Sequence, residues 1–328
     1  MEDQIRLFEI VKSKIPSNLS LVDEIGDLLD LSKDSAYRRV RGEKILSFAE
    51  WKMICEKYHL SIDEIINSKS ERGALFQYNP VDISDIESYI ACLKRLENFM
   101  VVFASSTDEK KLVFSALDIP FYHFCKYPDL AFFKLFLWND TKNSYSISFE
   151  KFRDGLPQNK IVSIYEQIYN AYVSIPSVEV WTEQTIDIFI REFVFYFETV
   201  RFESKETALF LLEKFLNLIE SLKNYADMGY KDSNREIPFW LYSCSVALEN
   251  SFMLTRSGGK THCVLNLYAI SRVFTDNYSL CFETGKWVDS LISKSILISG
   301  EGAFKERLKF FYAVIKKVEA LIGKVSLS

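Results

Sequence analysis

The sequence lacks the cysteine spacing of a metal or redox site. Its six cysteines lie far apart along 328 residues, and no two form the C-x-x-C pair that would indicate zinc or a redox dithiol. They are Cys55, Cys92, Cys125, Cys244, Cys263 and Cys281. This pattern predicts reduced, mostly buried cysteines in a cytoplasmic protein, and we expect neither a metal nor another cofactor.

The sequence also lacks an overall positive charge and a long apolar run. Its formal net charge is -5, so the chain as a whole does not have the basic character of many nonspecific nucleic-acid binders. The first residues are acidic where a signal peptide would be basic, and no run of about 18 apolar residues occurs. We therefore expect no membrane contact, and any DNA contact has to come from a local basic patch.

Catalytic motifs are also missing from the sequence. Gly259-Lys260-Thr261 matches the end of a phosphate-binding P-loop, but Leu254 occupies the position of the required first glycine. A hairpin turn explains this segment better. His59, His123 and His262 are far apart and have no nucleophile or metal-ligand spacing. We therefore do not expect an enzyme.

The length and composition indicate a globular protein of about two domains. Hydrophobic residues make up 48% and charged residues 26%, which excludes a disordered chain. A polar stretch at 67–73 is followed by Asn79-Pro80 and indicates a linker. The predicted domains are therefore 1–70 and 83–328, joined by a linker at 71–82.

Apolar residues at helical spacing predict five short helices in the first 70 residues. Pro16 ends the first helix, and Ser20 caps the second. The last two helices each begin with a capping box, from Ser47 to Glu50 and from Ser61 to Glu64. The predicted domain is therefore a compact bundle of short helices.

The third predicted helix, at 33–41, has two opposed faces. It follows a good N-cap, Ser32, and ends at Gly42, where a left-handed cap is common. Ala36 and Val40 fall on one side. The other side carries Asp34, Arg38 and Arg41, with Tyr37 at its edge. The segment 33–44 contains five basic residues, Lys33, Arg38, Arg39, Arg41 and Lys44, against the acidic Asp34 and Glu43. This segment is the local basic patch.

The order of these features resembles the Cro/lambda-repressor helix-turn-helix family. The motifs that carry the resemblance are Leu31-Ser32 before the third helix, Arg41-Gly42-Glu43-Lys44 after it, and Leu60-Ser61-Ile62-Asp63-Glu64 in the last helix. The resemblance covers 21–66, about a seventh of the chain. It implies that the second helix crosses the DNA backbone and that the third enters the major groove of double-stranded DNA.

The resemblance also implies which residues meet DNA. The candidate base readers are Lys33, Asp34, Ser35, Tyr37 and Arg38, and the candidate phosphate contacts are Ser32, Arg41 and Lys44. Two positions depart from the family pattern, since Gly26 replaces the usual Ala and Asp30 replaces the usual Gly of the turn. Asp tolerates a left-handed conformation, so we expect the turn to form. The alternative is that 33–44 is only a solvated charged face.

Helical spacing dominates the second domain. Helices are predicted after Ser84 and at 128–138, 158–173, 183–200, 205–228, 235–250, 284–295 and 301–322. Two segments break the pattern, 111–117 and 251–282, and the second contains a hairpin-like turn at Ser257-Gly258-Gly259-Lys260. The expected fold is therefore mainly α, with a five-helix helix-turn-helix domain followed by a large helical domain with a small antiparallel β element.

Residues 185–322 also resemble the C-terminal part of large helix-turn-helix regulators common in Bacteroidetes, notably at 225–231 and 295–299. That resemblance implies a regulator and brings no ligand. We therefore predict a bacterial, sequence-specific transcriptional regulator that forms a homodimer and senses a small-molecule or protein effector through 83–328. The alternative is a helical protein-interaction scaffold with an accessory DNA-binding domain. A nucleotide-dependent enzyme is a third hypothesis and depends only on the incomplete P-loop.

Overall fold

The structure, a computed structural model, describes residues 2–16, 19–58, 60, 62, 65, 74–143 and 147–328. The chain divides after Leu75 into two compact units. Among the residues described, no helix is both long enough and apolar enough to span a membrane.

The N-terminal unit is built from short helices around a small apolar core. The helices are α1 (Glu2–Lys14), α2 (Leu21–Leu29), α3 (Lys33–Val40) and α4 (Phe48–Tyr58). The core includes Leu7, Val11, Ile25, Ala36 and Ile54, all fully buried. The predicted fifth helix and its capping box lie outside the described residues except for Ile62 and Ile65, and the side chain of Ile65 belongs to this core.

The turn between α2 and α3 has the predicted local geometry. Asp30 is left-handed, with φ of 51°, and its N–H donates to the carbonyl of Gly26. The Ser32 hydroxyl accepts from the first turn of α3, and Gly42 has φ of 76°. A Cβ atom at Gly26 would lie 3.3 Å from the carbonyl oxygen of Leu31, so the glycine permits a close approach. The predicted caps and the left-handed Asp30 are therefore confirmed.

The C-terminal unit contains an eight-stranded mixed sheet. Its strands are β1 (Gln77–Tyr78), β2 (Lys110–Ala116), β3 (Ser177–Trp181), β4 (Phe239–Cys244), β5 (Phe252–Ser257), β6 (Lys260–Tyr268), β7 (Ser271–Thr275) and β8 (Ser295–Leu297). The order is β1-β7-β6-β5-β2-β3-β4-β8. Strands β2, β3 and β4 are parallel, with Val113 opposite Val178 and Val178 opposite Trp240, and the other pairs are antiparallel.

Helices cover both faces of this sheet. They are α5 (Ile86–Ser105), α6 (Phe121–Phe124), α7 (Pro128–Asn143), α8 (Phe149–Asp154), α9 (Gln158–Val173), α10 (Asp187–Glu198), α11 (Lys205–Met228), α12 (Tyr278–Ser293) and α13 (Phe304–Leu327). Leu112 and Phe114 of β2 face the large aromatic core with most of these helices. Val113 faces the other way and packs with Cys281 and Val288 of α12. The sheet is therefore the middle of three layers.

The expectation of a mainly α fold with a small antiparallel element was wrong. The segment predicted as a helix at 235–250 contains β4, and β3 lies where no strand was expected. Strand β4 is a short, mostly apolar segment, and such segments do not distinguish a strand from a helix by periodicity. Strand β3 contains the polar residues Ser177 and Glu179, so no apolar pattern marked it as a buried strand. The hairpin itself is confirmed, since β5 and β6 pair across Gly258 and Gly259, and β6 rather than a P-loop helix follows this turn.

A buried carboxylate joins the sheet to the helices that cover it. Glu179 of β3 is fully buried and accepts hydrogen bonds from His123 Nε2 at 3.0 Å, Tyr172 Oη at 2.6 Å and Trp181 Nε1 at 2.9 Å. Burial raises the pKa of Glu179, but the attraction and hydrogen bond of His123 and the hydrogen bond of Tyr172 outweigh it, so the net pKa lies below its ordinary value. Buried Lys231 donates to the backbone carbonyls of Tyr172 and Ile175.

We expect Glu179→Gln to lower the free energy of unfolding of the C-terminal unit by about 3–5 kcal/mol at neutral pH, because three donors surround the lost charge. The folded-state pKa of Glu179 lies below the ordinary 4.5, so this stabilisation is complete above pH 4.5 and is lost as the pH falls through the lower, folded value. Calorimetric unfolding at several pH values measures both effects.

The matched control for this measurement is Glu283→Gln, which removes an exposed carboxylate that pairs with Lys286 at 3.3 Å. It should change stability by no more than about 0.5 kcal/mol. Equal effects of the two substitutions, or a Glu179→Gln effect that persists unchanged in acid, would contradict the proposed role of Glu179.

Candidate nucleic-acid interface

The inner face of α3 is held by a buried ion pair. Arg39 is 6% exposed, and its guanidinium lies 2.8 Å from a carboxylate oxygen of Glu50 on α4 and donates to the carbonyl of Ser35. Burial raises the pKa of Glu50, whereas the backbone N–H of Ser47 and the guanidinium of Arg39 lower it to a net value below the ordinary one. The pair therefore fixes α3 against α4.

A single buried amide side chain holds the end of α3 and the following loop. Gln4 of α1 donates from Nε2 to the carbonyls of Arg39 at 2.7 Å and Lys44 at 2.8 Å. Its Oε1 atom accepts from the backbone N–H of Leu46 at 2.9 Å. These bonds satisfy backbone groups that the helix end would otherwise leave without partners. Gln4 thereby sets the path of the chain that carries Lys44.

The outer face of α3 is open to solvent. The exposed side chains are Ser32, Lys33, Asp34, Tyr37, Arg38, Arg41 and Lys44, whereas Ser35 is half-buried. At 100° per residue, positions 33, 37, 41, 34 and 38 form one continuous arc. The fold therefore brings the candidate residues of α3 together on one surface, with Ser35 at the edge of the packed side.

Some of these side chains contact one another or α2. Lys33 Nζ lies 2.8 Å from a carboxylate oxygen of Asp23, and both side chains are exposed. The Arg41 guanidinium lies 5.4 Å from the centre of the Tyr37 ring and donates to its hydroxyl at 3.2 Å. Solvent screens exposed pairs of this kind and makes them weak, so a polyanion can displace them at little cost.

Three of the candidate side chains are free of such contacts. Within the part of the chain that the structure describes, Asp34, Arg38 and Lys44 make no side-chain hydrogen bond or ion pair. The guanidinium of Arg38 can donate in a plane to two acceptors, and the ammonium of Lys44 can meet a phosphate oxygen. This arrangement suits base-edge and backbone contacts on DNA.

Arg39 does not belong to the exposed basic patch. In the sequence, Arg39 counts among the five basic residues of 33–44. In the structure, Glu50 balances the charge of Arg39 inside the unit. Four exposed cations remain against the exposed acids Asp34 and Glu43. The patch is therefore less basic than the residue count suggested, although it stays positive in a chain of net charge -5.

The structural roles of Gln4, Arg39 and Glu50 were not predicted from the sequence. A signal for Arg39 was present, because the same helical spacing places position 39 between Ser35 and Ala36 on the inner side. Glu50 was identified only as the second member of a capping box, and that box is confirmed by its hydrogen bonds with Ser47. No local signal pointed to Gln4, whose partners are more than 30 positions away.

Comparisons of the chain with protein-family models, curated proteins and solved structures give no match. No family assignment follows from them. A function therefore has to be inferred from the residues of α3 and their surroundings.

Two neighbouring arginines allow a direct test of this geometry. Arg39→Ala should lower the stability of the N-terminal unit by about 3 kcal/mol, because it leaves the Glu50 carboxylate without its partner. Arg38→Ala removes an exposed side chain and should change stability by no more than about 0.5 kcal/mol. Amide hydrogen exchange in peptides from α3 and α4 measures both values, and a reversed order would show that the assignment of the two faces is wrong.

Proposed function

We propose that this chain is a cytoplasmic, sequence-specific DNA-binding regulator whose α3 enters the major groove. The observation that carries the proposal is the division of α3 into a face locked by Arg39 and an open face with partly unpaired cations. A helix of this width fits the major groove, where each base pair presents a distinct pattern of donors and acceptors. The turn at Asp30 and the cap at Ser32 orient its first residues.

The exposed residues divide into two chemical roles. Arg38 suits paired hydrogen bonds to guanine, and Tyr37 offers a ring for thymine methyl contact with a hydroxyl for a base or phosphate. Lys33, Asp34 and Ser35 complete the candidate base-reading set, with Asp34 as an acceptor for cytosine. Ser32, Arg41 and Lys44 are candidate phosphate contacts, which position the helix without reading sequence.

The experiment that tests this proposal is selection of bound duplexes from a random-sequence library by the full chain, followed by sequencing. A regulator of this type should enrich one motif strongly over the starting pool. A scaffold with only charge-driven affinity would enrich none, and that result would overturn the proposal.

Variants of the patch should then separate base reading from phosphate binding. Arg38→Ala should weaken binding to the enriched sequence by about 1–3 kcal/mol, roughly 5- to 150-fold. Lys44→Ala should weaken binding to enriched and unrelated duplexes alike and reduce the salt slope by about one charge. Fluorescence anisotropy at several salt concentrations measures both effects.

The matched control is Lys52→Ala on α4, which removes an exposed cation paired with Glu56. It should leave affinity and salt slope close to those of the unmodified chain. Unchanged affinity of Arg38→Ala for the enriched sequence would contradict the groove-facing position of that residue.

We also propose that the C-terminal unit forms a homodimer. Phe304, Leu308 and Tyr312 lie four residues apart on α13, and 60%, 43% and 67% of their surfaces are exposed. An apolar stripe of this kind is typical of an interaction surface. A dimer would present two copies of α3 to half-sites about 34 Å apart, which a single small domain needs in order to gain affinity.

Leu308→Glu should convert the dimer to a monomer, because it places a charge in the middle of an apolar contact. Lys309→Glu introduces the same group at the next, exposed position and should leave the dimer intact. Light scattering at micromolar concentration distinguishes the two masses. A monomeric unmodified chain, with or without DNA, would refute the dimer.

A further inference from the structure

A cavity of about 250 Å³ lies between α5 and the β7–β1 edge of the sheet. Leu96 and Phe99 of α5 form one side, and Met253, Ile270 and Phe274 from the sheet side form the other. A smaller cavity of about 90 Å³ shares Met253, Ile270 and Arg272 with it. An apolar lining of this extent is typical of small-molecule sites.

Two arginines contribute the charge of this cavity. Arg272 of β7 is half-buried, and its guanidinium donates to the Tyr122 hydroxyl at 3.2 Å and lies 5.6 Å from the centre of that ring. Arg95 of α5 is exposed at the same cavity. Among the residues described, neither arginine has a carboxylate partner, and the lining contains no Asp or Glu.

Cys92 also lines the cavity, close to both arginines. Burial raises the pKa of Cys92, and the positive charges of Arg272 and Arg95 oppose that rise. By contrast, the buried cation Lys134 of this unit is balanced by Asp118 and Glu192, which lie 3.0 and 2.9 Å away. The cavity therefore combines apolar walls with an unbalanced positive charge, and this combination suits an anion rather than a cation.

We infer that this cavity binds a small organic monocarboxylate, with the carboxylate at Arg272 and Arg95 and the apolar body against Phe99, Met253 and Phe274. An apolar cavity of about 150 Å³ holds benzene, so 250 Å³ accommodates a ligand of about ten non-hydrogen atoms. Gln77 and Asn79 line the same cavity and can donate further hydrogen bonds to the carboxylate.

This site is distinct from the proposed DNA-binding surface. Its lining includes β1, the strand that follows the N-terminal unit along the chain. Gln77 lies opposite Phe274 in the pairing of β1 with β7, and both residues line the cavity. Strand β1 has only two residues and is the first strand after the boundary at Leu75. A ligand that contacts both strands stabilises this pairing, and so acts on the segment that leads from the N-terminal unit. Carboxylate binding is measured in the absence of DNA, so the two proposals are tested independently and the failure of one does not contradict the other.

Calorimetric titration of the full chain with octanoate, decanoate and 3-phenylpropanoate tests the inference. At least one should bind saturably, with one molecule per chain. Octan-1-ol lacks the charge and inorganic phosphate lacks the apolar body, so each should bind more weakly by about tenfold or more. No saturable binding of any of the three carboxylates at millimolar concentration would overturn the site.

Arg272→Gln and Arg95→Gln should each weaken carboxylate binding by roughly tenfold or more, because each removes a charge-assisted hydrogen bond. Arg95 is exposed, so its substitution tests the site even if loss of the Arg272–Tyr122 bond perturbs the fold. Arg191→Gln, on the exposed surface of α10 and outside the cavity, should leave affinity unchanged. Equal affinity of octanoate and octan-1-ol, or of the unmodified chain and both cavity variants, would contradict the inference.

Discussion

The proposed function depends on the ion pair between Arg39 and Glu50. A guanidinium in the core of a small helical unit is costly unless a carboxylate and hydrogen-bond acceptors surround it, and here Glu50 and the carbonyl of Ser35 do so. With one arginine turned inward, α3 can pack in only one rotational setting about its own axis. Gln4 holds the end of the same helix, so the residues on its other side remain exposed and close together.

In the C-terminal unit, too, some charged side chains are paired inside the fold, as Arg39 is, and others have no partner of opposite charge. Glu179 is surrounded by three donors and joins β3, the middle one of the three parallel strands, to helices that cover the sheet. Arg95 and Arg272, like Arg38 and Lys44 in the N-terminal unit, have no carboxylate partner among the residues described. In a chain whose net charge is -5, these cations are the basis of both proposals that an external anion binds.

Local features of the sequence predicted local structure well, and long-range structure poorly. Ser32 and Gly42 act within a few residues of their own positions, so the limits of α3 could be read from the sequence. The contact of Gln4 with Arg39 spans 35 positions, and no periodic pattern reveals it. Strand β3 contains a buried Glu179 where a strand is expected to be apolar, and β4 is a short, mostly apolar segment that helical spacing also fits. For these reasons the mixed sheet was not predicted.

Photocrosslinking most directly tests whether the outer face of α3 meets the bases. Benzoylphenylalanine replaces Tyr37, which is 47% exposed, in one variant and Met53 of α4, which is 43% exposed, in another. Each is irradiated with the duplex enriched from the random library, and the modified nucleotides are identified by sequencing. We expect adducts at bases of the enriched motif from position 37 and none from position 53. Absence of adducts from position 37, or equal adducts from both positions, would contradict major-groove binding by α3.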